Sequence, residues 1–238
     1  MSMTLLQLRT KAAQLSGRYD LVNPSTFVDN GMDFFITAAQ NWLDRHNNTP
    51  KSTSRIWEEV AAGTWYYNFQ KCRRVEEVWI NNTTGRTQLE KKNFVELRNL
   101  YTSTIANTDQ GTPLYYSPAY LRTDDNTDID SLGAFFNNVL SSSDGYHGII
   151  LLPPPDESIV IEVKGLFYSA DLDAEDATNF WSVNYEDIFV MAILRELEIF
   201  NRNTEGVRDW TLAIDQKLLD IEHDMINESI QDVNQIED

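Results

Sequence analysis

The sequence has few of the side chains that usually carry redox, metal or thiol chemistry. It has one cysteine, Cys72, and three histidines, His46, His147 and His223, among 238 residues. A single cysteine excludes an internal disulfide framework and an all-cysteine metal site. Because the three histidines are scattered along the chain, we expect no metal centre and no cofactor.

Long apolar runs and catalytic motifs are missing as well. No stretch approaches the roughly 18 consecutive apolar residues of a membrane-spanning helix, and residues 1–6 lack the basic and apolar regions of a signal peptide. The sequence contains no Gly-rich phosphate loop and no Gly-x-Ser-x-Gly nucleophile motif. These absences predict a protein that is not an enzyme, is made and kept in a cytoplasm and does not contact a membrane.

Positive charge is scarce in the C-terminal part of the chain. The net charge is −18; residues 1–100 hold 13 Lys and Arg against 10 Asp and Glu, whereas residues 101–238 hold 6 against 27. We expect no sequence-specific DNA binding, because such binding depends on Lys and Arg displacing counterions from phosphates. The charge asymmetry suits head-to-tail packing of copies in a ring, although solubility alone would also account for the acidity.

Helical periodicity predicts a helical hairpin in residues 1–50. The first helix ends near Gly17, and its apolar stripe consists of Leu5, Leu8, Ala12 and Leu15. The second helix is predicted to begin at residues 23–26, with Thr26 and Asp29 spaced like a capping box. Its predicted apolar face consists of Val28, Met32, Phe35, Ala39 and Trp42.

Residues 51–170 have the composition of a β-rich insertion. Four β-branched and aromatic segments separated by turn signals predict a β-meander over residues 54–89, and a helix is predicted over residues 91–101. An extended segment at residues 111–118 and a polar, solvated stretch at residues 122–144 follow. Strands at residues 146–152 and 158–168 flank the turn Pro153-Pro-Pro-Asp156 and are predicted to pair antiparallel with each other.

Two further helices are predicted at the C-terminus. Ser182 is predicted to cap a helix that ends near Arg202, with a buried stripe of Phe189, Ile193, Leu197 and Phe200. The last helix has a stripe of Trp210, Ile214, Leu218, Ile221 and Met225, which predicts that the two helices pack as a hairpin.

Apolar residues continue in the last helix beyond its predicted partner. They are Ile226, Ile230, Val233 and Ile236, and they extend the predicted helix to some 30 residues, roughly 45 Å. The preceding helix has only about 20 residues, so the segment from about Glu222 has no partner in the hairpin. We predict that Met225 and these four residues bind another protein chain; a frayed acidic tail is the alternative.

Together these elements predict an α+β fold. A helical bundle is formed by N- and C-terminal helical hairpins, residues 1–50 and 171–238, and residues 51–170 form a central antiparallel β-rich insertion.

The β region also contains aromatic residues and paired carboxylates. Trp57, Trp65, Tyr67 and Trp79 are predicted core or interface residues, because Trp and Tyr are enriched at interface centres. The pairs Glu58-Glu59 and Glu76-Glu77 beside them raise an alternative, a carbohydrate-binding or carbohydrate-active protein. That signal is weak, since neighbouring residues of a strand point to opposite faces.

Several stretches resemble a family of phage head-to-tail adaptor proteins, also called connector or head-completion proteins, particularly those of short-tailed phages. The stretches are Gly111-Thr-Pro-Leu-Tyr-Tyr116, Gly148-Ile-Ile-Leu-Leu-Pro-Pro-Pro155, Ile161-Glu-Val-Lys-Gly-Leu-Phe-Tyr168, Phe180-Trp-Ser182 with Tyr185, and Arg202-Asn-Thr-Glu-Gly-Val-Arg-Asp-Trp210. The similarity covers residues 111–215 most strongly.

The resemblance implies a virion protein at the head-tail junction. Such proteins assemble as rings, commonly of twelve copies, beneath the portal protein, where they extend the DNA channel and support tail, nozzle or fibre proteins. The family has no catalytic residues. An acidic surface along such a channel would let DNA pass without binding.

Overall fold

The computed structural model describes residues 2–46, 53–69, 71–83, 85–100, 109–119 and 148–234. The described helices are α1 Leu5–Ser16, α2 Met32–His46, α3 Phe94–Leu100, α4 Phe180–Asn184, α5 Glu186–Phe200 and α6 Thr204–Asn234. The described strands are β1 Thr53–Val60, β2 Tyr66–Asn68, β3 Cys72–Asn82, β4 Gly85–Gln88, β5 Glu90–Lys91, β6 Tyr115–Ala119, β7 Gly148–Leu152 and β8 Ile159–Phe167. The predicted α+β class is confirmed.

The chain divides into two compact units. One comprises Met1–Ser52 and Tyr168–Asp238, and the other comprises Thr53–Phe167. The first unit contains α1, α2, α4, α5 and α6, and the second contains the eight strands and α3. Each unit has its own cluster of buried apolar side chains.

Helix α5 organises the core of the helical unit, because it packs against α1, α2 and α6. Its buried side chains include Phe189, Ile193 and Leu197, as the sequence predicted. Phe200 was predicted in the same stripe but is 63% exposed. It lies at the end of the helix, where its ring contacts Phe35 edge-on at 5.6 Å between ring centroids.

Helix α1 ends where the sequence predicted, at Gly17. Thr4 and Gln7 form a capping box at its start, and Gly17 ends it at φ +71°, a left-handed conformation that glycine adopts without steric cost. Leu5, Leu8 and Ala12 are buried, but Leu15 is 55% exposed. The prediction that Leu15 belongs to the buried stripe was wrong.

The predicted start of the second helix was also wrong. Asn23 accepts hydrogen bonds from the backbone amides of Ser25 and Thr26, so its side chain stabilises a turn instead of a helix. The helix begins at Met32, and the Asp29 carboxylate accepts from the amide of Asp33 in its first turn. Val28 therefore precedes the helix and is 47% exposed.

Ser182 does not cap the long helix. It forms a capping box with Asn179 at the start of the short helix α4. The helical conformation is interrupted at Tyr185 (φ −142°, ψ 54°), and α5 begins at Glu186. The prediction of one helix from Ser182 to about Arg202 therefore missed the break at Tyr185 that separates α4 from α5.

The strands form two four-stranded sheets, with the orders β1-β8-β3-β4 and β2-β7-β6-β5. All described pairings are antiparallel except the short parallel pairing of β5 with β6. The predicted meander is wrong in its pairing: β8 lies between β1 and β3, and β2 pairs with β7. Only β3 and β4 form the hairpin that local turn signals predict.

The prediction that β7 and β8 pair with each other was wrong as well. All five residues of β7 are buried, whereas buried and more exposed residues alternate in most of β8. Each strand is flanked by two others in its own sheet. The carbonyl oxygens of Pro154 and Pro155 accept from the amides of Gly111 and Gly63, so backbone hydrogen bonds anchor the proline segment between the two strands.

The predicted helix at residues 91–101 and the extended segment at residues 111–118 correspond to α3 and β6. Asn93 caps α3, since its side chain accepts from the amides of Val95 and Glu96. The predicted solvated stretch at residues 122–144 lies outside the described residues.

Candidate functional site

One face of the β1-β8-β3-β4 sheet brings together residues that are far apart in the sequence. Strand register places Trp57 of β1 and Trp79 of β3 on either side of Glu162 of β8. Side chains directly opposite each other on adjacent strands lie on the same face. Two of the four predicted aromatic interface residues therefore belong to one cross-strand row.

Glu162 is the centre of this row. Its side chain is only 12% exposed and is contacted by Arg55 at 3.6 Å and by Arg86 at 2.5 Å. The two arginine side chains are 56% and 54% exposed. The charged groups exposed to solvent on this part of the face are therefore mainly the two guanidinium groups, and the Glu162 carboxylate that binds them is largely shielded.

Trp79 has contacts with both its ring and its indole nitrogen. The Arg86 guanidinium lies over the ring at 4.6 Å from the centroid. The Trp79 Nε1–H donates to Glu77 at 3.1 Å, and Lys164 lies 3.6 Å from the same carboxylate. The hydrogen bond from Trp79, followed by the charge of Lys164, lowers the pKa of Glu77 below its usual range.

Trp57 is the accessible aromatic side chain of the row. It is 62% exposed, whereas Trp79 is partly buried. A tryptophan with so much apolar surface in solvent is typical of a binding surface, since Trp is enriched among interface hot spots. The predicted interface role of Trp57 and Trp79 fits this placement; the prediction itself stays open.

Trp65 and Tyr67 belong to a different place in the same unit. Tyr67 lies in β2, in the other sheet, and packs against the buried cluster. Trp65 precedes β2, and its ring contacts Tyr66 edge-on at 5.1 Å. Burial, followed by the charge of Glu58 and a hydrogen bond with it, raises the pKa of Tyr67 to about 12. The four predicted aromatic residues thus divide between two sheets.

The carboxylates of Glu58 and Glu59 have different partners and do not form a pair. Glu59 accepts a hydrogen bond from the Ser158 hydroxyl at 2.6 Å, whereas Glu58 interacts with Tyr67. The two side chains diverge because neighbouring strand residues alternate in direction, as expected from the sequence.

A histidine–carboxylate contact in the helical unit was not predicted. His46 Nε2 lies 2.6 Å from Asp215 Oδ1, and the His46 ring stacks on Trp42 with centroids 4.6 Å apart. The Arg195 guanidinium lies over the Trp42 ring at 4.0 Å. The one sequence signal was the spacing of Trp42 and His46 four residues apart on a helix; Asp215 is 169 residues away in the chain.

Of the other two histidines, His223 belongs to the described residues. His223 is exposed on α6, as predicted. His147 lies outside the residues that the structure describes.

The last helix has the length that the sequence predicted, since α6 spans 31 residues from Thr204 to Asn234. Ile214 and Leu218 are buried, and Trp210 and Ile221 are partly buried against the same core. Of the predicted docking residues, Met225, Ile226, Ile230 and Val233 are on the helical backbone, but their side chains lie outside the description. Ile236 lies beyond the described residues altogether.

Among the described residues, no group of three or more His, Cys, Asp and Glu side chains is arranged to hold a metal ion. None of the described helices combines the length and the apolar character needed to cross a membrane.

No protein-family model matches the chain, and no curated protein matches it either. The resemblance to adaptor proteins therefore rests on sequence stretches such as Gly148-Ile-Ile-Leu-Leu-Pro-Pro-Pro155.

Proposed function

We propose that this chain is the subunit of a phage head-to-tail adaptor, a non-enzymatic virion protein that forms a ring below the portal protein. The ring extends the DNA channel and provides the attachment platform for tail, nozzle or fibre proteins. The observation that carries the proposal is the length of α6, which is 31 residues, against 15 residues for its packing partner α5.

Helix length limits how much of α6 can be covered within the chain. At 1.5 Å per residue, α6 is about 46 Å long and α5 about 22 Å. Among the described side chains of α6, the last that is buried is Leu218, and the last packed against the core is Ile221. Helix α5 alone is too short to cover all of α6, and we assign the segment from about Glu222, with Met225, Ile226, Ile230, Val233 and Ile236, to a contact with another protein chain.

We further propose the bundle that the adaptor resemblance implies. In it, a hairpin of α1 and α2 packs with a hairpin of α5 and α6, and residues 51–170 form the inserted β region. The grouping of Met1–Ser52 with Tyr168–Asp238 in one compact unit supports this arrangement. A buried hydrogen bond of 2.9 Å from Asn179 to Gln40 supports it as well, since it joins the N-terminal and C-terminal segments of this unit.

The charge of the chain fits a DNA channel. The net charge of −18 is the sum of +3 for residues 1–100 and −21 for residues 101–238. An acidic wall repels phosphates, so DNA would pass along the ring without sequence-specific binding. The assignment to the virion, and a ring of twelve copies, follow from the family resemblance and belong to the proposal.

The docking role can be tested by truncation. Deleting residues 222–238 is expected to leave the unfolding transition nearly unchanged, because the truncated chain keeps the described core contacts of α6 through Ile221, and to abolish capture by the portal protein of the same phage. Deleting residues 235–238 alone is the matched control and should retain most of the binding. Normal portal binding by the longer truncation would exclude the docking role.

A carbohydrate-binding protein is the second candidate. The observation in its favour is the cross-strand row of Trp57 and Trp79 around Glu162. Against it, the Arg86 guanidinium covers one face of the Trp79 ring, which leaves Trp57 as the more accessible stacking surface. Glycan-array binding or hydrolysis that is lost in both Trp57→Ala and Glu77→Gln would favour this candidate over the adaptor.

A further inference from the structure

Strand β1 lies at the edge of its sheet. It has β8 on one side, and no backbone hydrogen bond from another described residue reaches its other side. Every second residue of a strand directs its N–H and C=O groups to the same side, so the outer side of β1 presents a row of backbone donors and acceptors. None of the residues Thr53–Val60 is proline, so each of them has an N–H group.

The shape of β1 suits the addition of another strand. It has eight residues, and its register with β8 is regular over all of them. Natural edge strands are usually protected by proline, lysine, a bulge or short length. β1 contains no proline and no lysine, whereas the strand at the opposite edge of the sheet, β4, has only four residues. The edge of β1 is therefore the one at which a further strand can pair over the greater length.

The sequence of β1 is complementary to itself in one register. In a symmetric antiparallel pair, the two-fold axis passes one residue, which lies opposite its own copy. With the axis at Trp57, Arg55 of each copy lies opposite Glu59 of the other. This is the one register centred on a residue of β1 that places Arg55 opposite a carboxylate, since Glu58 is an odd number of positions away. Registers centred on Arg55, Glu58 or Glu59 place like charges opposite each other.

The side chains in this register all lie on the solvent face. Arg55 and Trp57 are 56% and 62% exposed, and Glu59 is exposed as well. Two Trp57 side chains would form a cross-strand pair, with an Arg55–Glu59 pair on each side, and aromatic and opposite-charge pairs both stabilise strand pairing. Arg55 contacts Glu162 and Glu59 accepts from Ser158, but a guanidinium and a carboxylate can each form several hydrogen bonds.

We propose that a second copy of this chain pairs antiparallel with β1 about a two-fold axis at Trp57, so that the two β1-β8-β3-β4 sheets join into one continuous sheet. The two-fold axis is perpendicular to the sheet and keeps the buried faces of both copies on the same side. Because this contact uses the same surface in both copies, it closes at a dimer. An adaptor ring would use other surfaces, and the dimer does not depend on the adaptor role.

The test is sedimentation equilibrium of the full chain at concentrations up to 1 mM. We expect a dimer whose population rises with concentration. Arg55→Glu and Glu59→Arg each place like charges opposite each other at both ends of the paired segment, and each should lower the association constant at least tenfold. An equimolar mixture of the two variants restores both opposite-charge pairs. The mixture should therefore form a heterodimer with an association constant within about threefold of that of the unaltered chain.

Arg86→Glu is the matched control. Arg86 contacts the same Glu162 carboxylate as Arg55 and is similarly exposed, at 54%, but it belongs to β4. Arg86→Glu should therefore dimerise like the unaltered chain. All three substituted side chains are exposed, so circular dichroism is expected to show folded proteins. Recovery of association in the mixture also separates a lost contact from a misfolded variant, because misfolded chains would not recover it.

Several outcomes would overturn the proposal. They are a chain that remains monomeric at 1 mM, a dimer that Arg55→Glu and Glu59→Arg leave intact, and a dimer that Arg86→Glu weakens as much as Arg55→Glu does. Failure of the two mixed variants to associate would exclude the register centred on Trp57, and association that continues beyond two copies would exclude the two-fold contact.

Discussion

Trp181 donates a hydrogen bond from its indole nitrogen to the Asp44 carboxylate at 2.8 Å, and both residues are buried. Asp44 also accepts from the backbone amide and the hydroxyl of Ser169, at 2.9 and 2.8 Å. One carboxylate on α2 thus satisfies three donors from residues 169–181. This contact joins sequence segments more than 120 residues apart within the helical unit.

Replacing Asp44 should destabilise this unit strongly. In Asp44→Ala, three donors lose their acceptor, and the Trp181 indole N–H remains buried without one. We expect a loss of about 3–5 kcal/mol in the free energy of unfolding, measured by urea denaturation followed by tryptophan fluorescence. The exposed Asp173→Ala in the same unit should change it by less than about 0.5 kcal/mol. Equal stability of the two variants would contradict the structural role of Asp44.

Gly165 should not tolerate a side chain. A Cβ atom at this position in β8 would lie 2.2 Å from the Arg74 carbonyl oxygen on β3, where the β3–β8 register shifts. Gly165→Ala is expected to cost about 2–3 kcal/mol, measured as a lower urea midpoint for the β-rich unit. Gly111→Ala is the control, because its Cβ would make an ordinary 3.6 Å contact with Pro153. A neutral Gly165→Ala would place the β3–β8 pairing in doubt.

Cys72 should be unreactive while the protein is folded. Its side chain is fully buried, and burial raises the pKa of the thiol to about 11 from an ordinary value of 9.0. Because the thiolate is the reactive form, alkylation by iodoacetamide at pH 8 is expected to be slow in buffer and fast in 8 M urea, as measured by intact mass. Rapid modification of the folded chain would contradict this burial.

The raised pKa of Cys72 also has a consequence for stability. The unfolded chain releases the thiol proton near pH 9 and the folded chain only near pH 11, so the free energy of unfolding should fall as pH rises between these values. Cys72→Ala removes this contribution and should show a shallower decline over the same range. Parallel declines in the two proteins would indicate that Cys72 does not carry the effect.

Local signals in the sequence predicted much of the secondary structure. The end of α1 at Gly17, the extent of α6 and the strand β8 were predicted from neighbouring residues and agree with the structure. Strand pairing does not depend on neighbours alone. Two strands separated by a short turn, β7 and β8, lie in different sheets because each is central among other strands.

The candidate surfaces were predicted only in part, for a related reason. Trp57 and Trp79 could be selected by residue type, but their common face depends on β8, which is inserted between their strands and brings Glu162 between them. The contact of His46 with Asp215 likewise depends on tertiary packing. The length of α6, in contrast, was predicted from the sequence, because the apolar spacing continues past Met225.

The most direct measurement for the adaptor role is a reconstruction of the phage particle at a resolution that traces side chains. The account predicts a ring of this chain immediately below the portal protein, around the DNA channel, with α6 beyond Ile221 in contact with the portal or a neighbouring subunit. The account would be contradicted if the chain lay in a fibre, in a distal nozzle or outside the virion. It would also be contradicted if α6 beyond Ile221 were exposed to solvent in the particle.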